Sequence, residues 1–128
     1  MAKPDMIGHV VRDMAAALSF YRLIGLEIPT SADSESHVEC KANGYRIAWD
    51  TIALIESFAG PYEPAHGHRM NLAFLCDSPA DVDATYQKVI AAGHTSLKAP
   101  WDAFWGQRYA TVQDPDGNPV DLFAPLKN

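Results

Sequence analysis

The 128-residue sequence has few cysteines, few basic side chains and no long apolar run. Ten lysines and arginines stand against sixteen acids, and without a basic cluster the chain offers little to nucleic-acid phosphates. No stretch of about 18 apolar residues could span a membrane, and the first residues lack the regions of a secretory signal. Cys40 and Cys76 lie far apart without a CxxC motif, a pattern typical of buried free thiols in a reducing cytoplasm. We therefore expect a cytoplasmic protein without nucleic-acid or membrane partners.

Common catalytic signatures are also lacking. No GxSxG elbow is present, the glycines do not form a phosphate-binding loop, and neither cysteine has a setting that would lower its pKa. The apolar fraction of 48% and the length predict one globular domain with its own core. The formal charge of −6 would favour cationic small molecules, although a solvated acidic surface that aids solubility is the preferred explanation.

A strand followed by a capped helix occurs twice. Each copy has a short apolar run, a residue suited to the N-cap, an apolar stripe at helical spacing and a glycine that ends the helix. The corresponding positions are 7–11, Asp13 and Gly25 in the first copy, and 72–76, Ser78 and Gly93 in the second.

Hairpin signals follow both predicted helices. Asn43-Gly44 joins two alternating runs in the first half, and the turn from Asp114 to Gly117 joins two runs in the second. Each half is thus predicted to be a β-α-β-β-β module, and the fold class to be α+β, with curved mixed sheets around a cleft and helices outside. The predicted boundaries are about 4–52 and 69–126 for the modules and 53–68 for the linker, with helical turns at 51–58.

Two segments give this plan a family resemblance. "FYRLIGLEI" and "WGQRYATVQDPDGNPVDLF" resemble the vicinal oxygen chelate superfamily, which includes glyoxalase I, extradiol dioxygenases, and fosfomycin- and bleomycin-resistance proteins. The second segment looks most like the bleomycin-resistance branch. The resemblance covers nearly the whole chain, and it implies a homodimer whose crevices hold flat, cationic compounds.

The resemblance also locates the positions at which other members bind a metal. Those members place a His or Glu on each of four strands, and the matching positions here are Met6, Ala48, Asn71 and Asp121. A catalytic divalent site needs about three firm N or O ligands, whereas an amide is weak and methionine suits soft ions. His9 has the opposite strand parity and is expected beneath the first helix as a core residue. We expect neither a metal nor another cofactor.

The remaining histidines give no firm metal signal. His66 and His68 lie two apart, but Pro64 and Gly67 indicate a loop in place of a strand that would align the two side chains on one face. Surface histidines are therefore the interpretation for this pair. His37 and His94 have no companions in sequence.

An aromatic stretch precedes the final strands and is the predicted ligand site. Gly106 would allow close backbone approach there, while Arg108 would anchor an anion or hold the loop through Asp102 or Asp114. The alternative is that the rings seal a core and a dimer interface. The predicted ligand-binding residues are Trp101, Phe104, Trp105, Arg108, Tyr109, Trp49, Asn71 and Asp121, with Tyr62 as a further candidate for the facing wall.

Three functions remain open at this point. The first is metal-independent binding of a small, flat, aromatic or partly cationic molecule, as in bleomycin resistance. The second is a metal-dependent glyoxalase-type lyase or isomerase, or a dioxygenase-like enzyme, in which Asp121 with Asp50 or a histidine would hold the metal or act as a general base. The third is a sensor or accessory subunit whose cleft serves a partner protein.

Overall fold

A computed structural model describes residues 1–67 and 71–126. The chain divides into two compact units, Met1–Ala65 and His66–Asn128. The described residues contain no helix that is long and apolar enough to cross a membrane.

The first unit combines a three-stranded mixed sheet with two α-helices. Strand β1 pairs in parallel with β3, and β3 pairs antiparallel with β2, so the sheet order is β1-β3-β2. Along the chain the elements are β1 (Met6–Val11), α1 (Met14–Ile24), a 3-10 helix (Thr30–Ser34), β2 (His37–Lys41), β3 (Arg46–Thr51) and α2 (Ile52–Ala59).

The core of the first unit lies between α1 and the sheet. Leu18, Phe20 and Tyr21 of α1 are almost fully buried, as are Ile47 and Trp49 of β3. The helix begins at Asp13, whose carboxylate accepts a hydrogen bond from the Ala16 backbone N–H at 3.1 Å. Such a cap satisfies one of the free N–H groups at the start of a helix.

The second unit is a four-stranded mixed sheet with one α-helix on it. Its elements are β4 (Leu72–Leu75), α3 (Pro79–Ala91), β5 (Ser96–Ala103), β6 (Gln107–Gln113) and β7 (Pro119–Pro125). The sheet order is β4-β7-β6-β5, with β4 parallel to β7 and the other pairs antiparallel. Val82 and Val89 of α3 are fully buried, as are the alternate residues Val112, Val120 and Leu122 of the sheet.

The predicted α+β class and the repeated strand–helix plan are confirmed. Ser78 caps α3 by accepting a hydrogen bond from the Asp81 N–H, and Gly25 follows α1 with a φ of 123°. Both predicted turns join antiparallel strands, with Gly44 and Gly117 at positive φ.

The first unit differs from the prediction in one respect. Its described residues form three strands, whereas the predicted plan has four. Between α1 and β2 the chain forms a 3-10 helix at Thr30–Ser34, which begins after Pro29. Proline fixes φ and has no N–H for a strand ladder, so this segment favours a short helical turn over a further strand.

The two cysteines are free thiols, as predicted, but they are half-buried rather than buried. Burial raises the pKa of Cys40 and of Cys76 above the ordinary thiol value. The thiol forms are therefore favoured, and neither side chain is activated as a nucleophile.

Candidate functional site

The four-stranded sheet has two chemically different faces. Ala110, Val112, Val120 and Leu122 are fully buried on the face that packs against α3. Because successive side chains on a strand alternate between faces, Tyr109, Thr111, Asp121 and Phe123 lie on the opposite face. We call that opposite face the distal face.

A buried carboxylate is the centre of the distal face. Asp121 is 8% exposed and accepts three hydrogen bonds, from Asn71 Nδ2 at 2.6 Å, Tyr109 Oη at 2.6 Å and Thr111 Oγ1 at 2.8 Å. All three donors are neutral side chains. Among the described residues no lysine, arginine or histidine nitrogen lies within 4.0 Å of this carboxylate.

These hydrogen bonds do not use every acceptor position of the Asp121 carboxylate. Oδ2 accepts from both Asn71 and Tyr109, whereas Oδ1 accepts from Thr111 alone. An ionised carboxylate has about four acceptor positions, so one remains, on Oδ1. Burial, followed by the hydrogen bond to Asp121, raises the pKa of Tyr109 to about 12. Tyr109 therefore remains a donor at physiological pH.

Aromatic rings extend from this carboxylate across the sheet. Tyr109 lies 6.1 Å from Phe123 in a stacked arrangement and 5.2 Å from Trp105 in an edge-to-face arrangement, measured between ring centroids. Trp105 also meets Trp101 at 5.5 Å and Phe104 at 4.9 Å, both edge to face. These geometries are the favourable ones for ring quadrupoles. Trp105 is 49% exposed and Phe104 is 90% exposed, so the rings present surface beyond their mutual contacts.

Arg108 lies on the other face of the sheet, with α3. Its guanidinium binds Asp83 through Nε at 2.9 Å and Nη2 at 3.2 Å, and Asp102 through Nη1 at 3.0 Å. The predicted partner Asp102 is therefore confirmed. Asp114 instead accepts hydrogen bonds from Asp116 N and Asn118 N within the β6–β7 turn. Arg108 thus fixes β5, β6 and α3 to one another and does not join the distal-face group.

Trp49 does not join that group either. It belongs to the first unit and is fully buried, with its ring stacked on His9 at 5.9 Å and tilted against Tyr21 at 5.3 Å. This packing leaves no Trp49 surface for a ligand. His9 lies beneath α1, as predicted from its strand parity, and its Nδ1 is 3.1 Å from the Ala48 carbonyl oxygen. Tyr62 is half-buried in the segment after α2.

The first unit carries its own charged network on the face of its sheet away from α1. His37 contacts Asp50 through Nδ1 and Glu39 through Nε2, and Glu39 in turn binds Arg46, which also pairs with Asp5. The hydrogen bond to Glu39, followed by that to Asp50, raises the pKa of His37 above its ordinary value of 6.5. We expected no companion for His37, whereas Glu39 lies two residues away on the same strand and Asp50 reaches it through the β2–β3 pairing.

The residues at the four metal-ligand positions do not fit a divalent cation. Ala48 has no donor, and Met6 offers only a thioether. The Asn71 amide N–H and the Tyr109 hydroxyl both point at Asp121 Oδ2, where a metal would have to replace them. The described residues contain no group of three His, Cys, Asp or Glu side chains suited to a metal ion. His66 is exposed, and its predicted companion His68 lies outside the described residues.

Sequence reasoning missed Thr111, Phe123 and Lys98. Thr111 and Phe123 could have been found from alternation, since they share strand parity with Tyr109 and Asp121. Lys98 lies with its ammonium nitrogen 4.9 Å from the centroid of the Trp101 ring. Its placement follows from irregular pairing of β5, for which the sequence carries only Pro100 as a signal.

A duplicated strand–helix plan with two mixed sheets defines a glyoxalase-type α+β protein. The family model of the Glyoxalase/Bleomycin resistance protein/Dioxygenase superfamily matches residues 3–122, and the chain belongs to that superfamily. The matched segment contains all of the distal-face aromatic residues except Phe123, together with Asp121.

Similar proteins support membership of the superfamily but do not identify a branch within it. An uncharacterised protein of Mycobacterium bovis is 29% identical over 138 residues, which covers 98% of this chain and 86% of that protein. A protein of unknown function from Agrobacterium tumefaciens is 31% identical, with a TM-score of 0.72 and coverage of 98% and 95%. A glyoxalase/bleomycin resistance protein/dioxygenase family enzyme from Burkholderia phytofirmans has a TM-score of 0.84 and 24% identity, with coverage of 98% and 100%, and this likeness concerns the fold.

Proposed function

We propose that the chain binds a small, flat, aromatic molecule on the distal face of its second sheet, without a metal. The molecule carries a cationic N–H donor that meets Asp121, while its ring packs on Trp101, Phe104, Trp105 and Tyr109. The bleomycin-resistance-like role belongs to this proposal: the ligand is held and released unchanged.

The main support for this proposal is the environment of Asp121. Asp121 is a buried carboxylate that keeps a free acceptor position although no described cation neutralises it. Burying a carboxylate is costly unless it is paired and hydrogen-bonded, and a ligand cation would pair with it. A charge-assisted hydrogen bond of this kind is about twice as strong as a neutral one.

The rings supply the remaining affinity. Burying an aromatic ring is favourable by about 25 cal/mol per Å² of apolar area, and each good ring contact adds about 0.5–1.5 kcal/mol. A micromolar ligand requires about −8 kcal/mol, more than a single ring contact provides. The ligand therefore needs several of these rings together with Asp121.

Matched ligands test the proposal by isothermal titration calorimetry in EDTA. 2-Naphthamidine and 2-naphthamide have nearly the same shape, but only the amidine is cationic. We expect the wild type to bind the amidine more tightly, by about tenfold, which corresponds to about 1.4 kcal/mol for a charge-assisted hydrogen bond. The Asp121→Asn variant keeps the side-chain shape and should lose this preference.

Two further variants make the result interpretable. Asp77→Asn removes one charge at an exposed position of the same unit and should keep the amidine preference. Trp105→Ala should weaken binding of both compounds, which tests the rings even if Asp121→Asn fails to fold. Equal affinity of the wild type for the amidine and the amide, or no binding of either, would contradict the proposal.

Recovery of the ligand separates passive binding from catalysis. After incubation with Zn²⁺, Ni²⁺, Mn²⁺ or Fe²⁺, a sequestering protein returns the naphthalene compounds with unchanged mass. A catalyst that required one of these metals would instead bind it stoichiometrically, and metal analysis of the native protein would detect the ion.

A further inference from the structure

Strand β5 is the irregular strand of the second sheet. Its pairing with β6 matches Ser96 to Val112, Lys98 to Thr111 and Trp101 to Tyr109, with a register shift in each interval. In both intervals β5 uses one residue more than β6. Such extra residues are β-bulges, which re-aim side chains and are frequent beside functional sites.

The two bulges place both Lys98 and Trp101 on the distal face. Ser96 lies on the side of α3, where its hydroxyl oxygen is 2.7 Å from Tyr86 Oη. On a regular strand Lys98 would share that side with Ser96, because residues two apart share a face. Trp101, three residues further on, would then lie on the other face of the sheet from Lys98. The shifts instead align both Lys98 and Trp101 with the distal-face residues of β6.

The Lys98 ammonium lies on this face beside an aromatic ring. It lies 4.9 Å from the Trp101 ring centroid, within the range of a cation–π interaction. No described carboxylate forms an ion pair with it. The distal face therefore presents a negative group, Asp121, and a positive group, Lys98, with aromatic rings beside both.

The strand register aligns the backbones of Lys98 and Asp121 across the sheet. Lys98 pairs with Thr111, and Thr111 pairs with Asp121, so the two residues are directly aligned across three adjacent strands. Neighbouring strands are about 4.7–4.9 Å apart, which places the two Cα atoms about 10 Å from each other.

From this arrangement we propose that the ligand is a dipolar aromatic compound, with an N–H donor group at one end and an anionic group at the other. The donor end meets Asp121, and the anionic end, a carboxylate or a group of similar charge, meets Lys98. This inference rests on the proposed function and adds the second polar contact and the ligand's direction on the sheet. Lys98 is the residue that determines specificity for the anionic end.

Four naphthalene compounds of one shape test the inference by isothermal titration calorimetry. They are 6-amidino-2-naphthoate, which carries the two charges at opposite ends of its ring system, and 2-naphthamidine, 2-naphthoate and 2-naphthamide. The wild type should bind the doubly charged compound most tightly. Lys98→Met should lower the affinity for that compound by about two- to fivefold, as expected for the loss of an exposed ion pair. The affinity for the neutral amide should not change.

A matched control removes the same charge elsewhere. Lys88 is exposed on α3, away from the distal face, and Lys88→Met should leave all four affinities unchanged. Lys98→Arg keeps the positive charge and should retain the preference for the doubly charged compound.

The possible outcomes separate this inference from the proposed function. If Lys98→Met weakens the doubly charged compound and 2-naphthoate but not 2-naphthamidine, the inference holds. If 2-naphthamidine binds in an Asp121-dependent way while Lys98→Met changes nothing, the inference is wrong and the proposed function stands. If none of the four compounds binds, both are wrong.

Discussion

At the scale of single residues, the distal face depends on a carboxylate that is satisfied by neutral donors. Tyr109 and Thr111 of β6 and Asn71, the residue just before β4, each donate to Asp121 of β7. Such a network fixes the carboxylate orientation while its charge stays available to a ligand. Removing a single donor should therefore change stability as well as binding.

Replacing Tyr109 by phenylalanine tests this network. The variant loses one hydrogen bond to a buried charged group, which stabilises a protein by about 1.5–3 kcal/mol. We expect the free energy of unfolding in urea to fall by about that amount. Tyr45→Phe, which removes a hydroxyl from a more exposed ring with no described hydrogen bond, should change it by less than about 0.5 kcal/mol. Equal losses in the two variants would show that the Tyr109 hydroxyl does not stabilise Asp121.

His37 gives a pH-dependent prediction in the first unit. Glu39 and Asp50 raise the His37 pKa in the folded state above the unfolded value, so the stabilisation is complete below about pH 6.5 and is lost as the pH rises through the folded value. The melting temperature of the wild type should exceed that of His37→Gln at pH 6, and the difference should shrink at pH 9. A difference that grows with pH would contradict the contacts with Glu39 and Asp50.

Some residues of the candidate site could be predicted from the sequence, and others could not. The family resemblance implied that Asn71 and Asp121 both occupy metal-ligand positions, and the structure joins them by a hydrogen bond of 2.6 Å. Trp49 and Arg108 were predicted to bind the ligand, but Trp49 is fully buried and Arg108 is bound to Asp83 of α3. Asp83 was missed as a partner of Arg108, since it reaches the strand from a helix 25 residues away.

At the scale of elements, β5 and its turn into β6 present the aromatic rings. Arg108 links β5 to α3 through Asp102 and Asp83, and the turn itself is closed by a hydrogen bond from Gly106 N to the Ala103 carbonyl oxygen at 3.0 Å. Gly106 has a φ of 91°, in the region that favours glycine. Trp105 immediately precedes it, so the turn geometry sets the Trp105 position.

Substitution of this glycine should be costly for a purely conformational reason. No heavy atom lies within 4 Å of the Cβ that alanine would add at Gly106, so only backbone strain opposes it. Gly106→Ala should lower the free energy of unfolding by about 1–2 kcal/mol. Gly8→Ala, at a strand glycine whose added Cβ would meet Asp50 Oδ2 at 4.0 Å, should be neutral or mildly stabilising. A neutral Gly106→Ala variant would mean that the turn relaxes without this conformation.

Elements were the most predictable level of this chain. Caps at Asp13 and Ser78, helix ends at glycine, and two hairpin turns depend on a few neighbouring residues, and all were found where the sequence indicates them. The β5 bulges and the 3-10 helix at Thr30–Ser34 were not predicted. The bulges depend on how β5 pairs with the rest of its sheet, which local patterns do not determine. The 3-10 helix does have a local signal, in Pro29.

At the scale of the whole molecule, the repeated plan predicted the superfamily, and the family model confirms it. The same plan hosts unrelated functions, so membership does not select among binding protein, lyase and dioxygenase. The proposal of a binding protein rests on the chemistry of the second sheet, above all on Asp121 with its neutral donors.

The homodimer implied by the resemblance remains a prediction for the whole molecule. Phe104 is 90% exposed at the end of β5, and large exposed rings are typical of surfaces that associate. Sedimentation velocity should give a mass of twice the 14.0 kDa chain. A 14.0 kDa species at all concentrations would contradict the dimer and would leave the distal-face chemistry unaffected.

The most direct test of ligand binding on the distal face is a ¹⁵N–¹H spectrum of the tryptophan indole groups during titration with 2-naphthamidine. The chain has three tryptophans, and Trp49, fully buried in the first unit, serves as an internal reference. Binding as proposed should shift the Trp101 and Trp105 signals together and saturably, with little change at Trp49. Saturable binding that leaves Trp101 and Trp105 unshifted would contradict it.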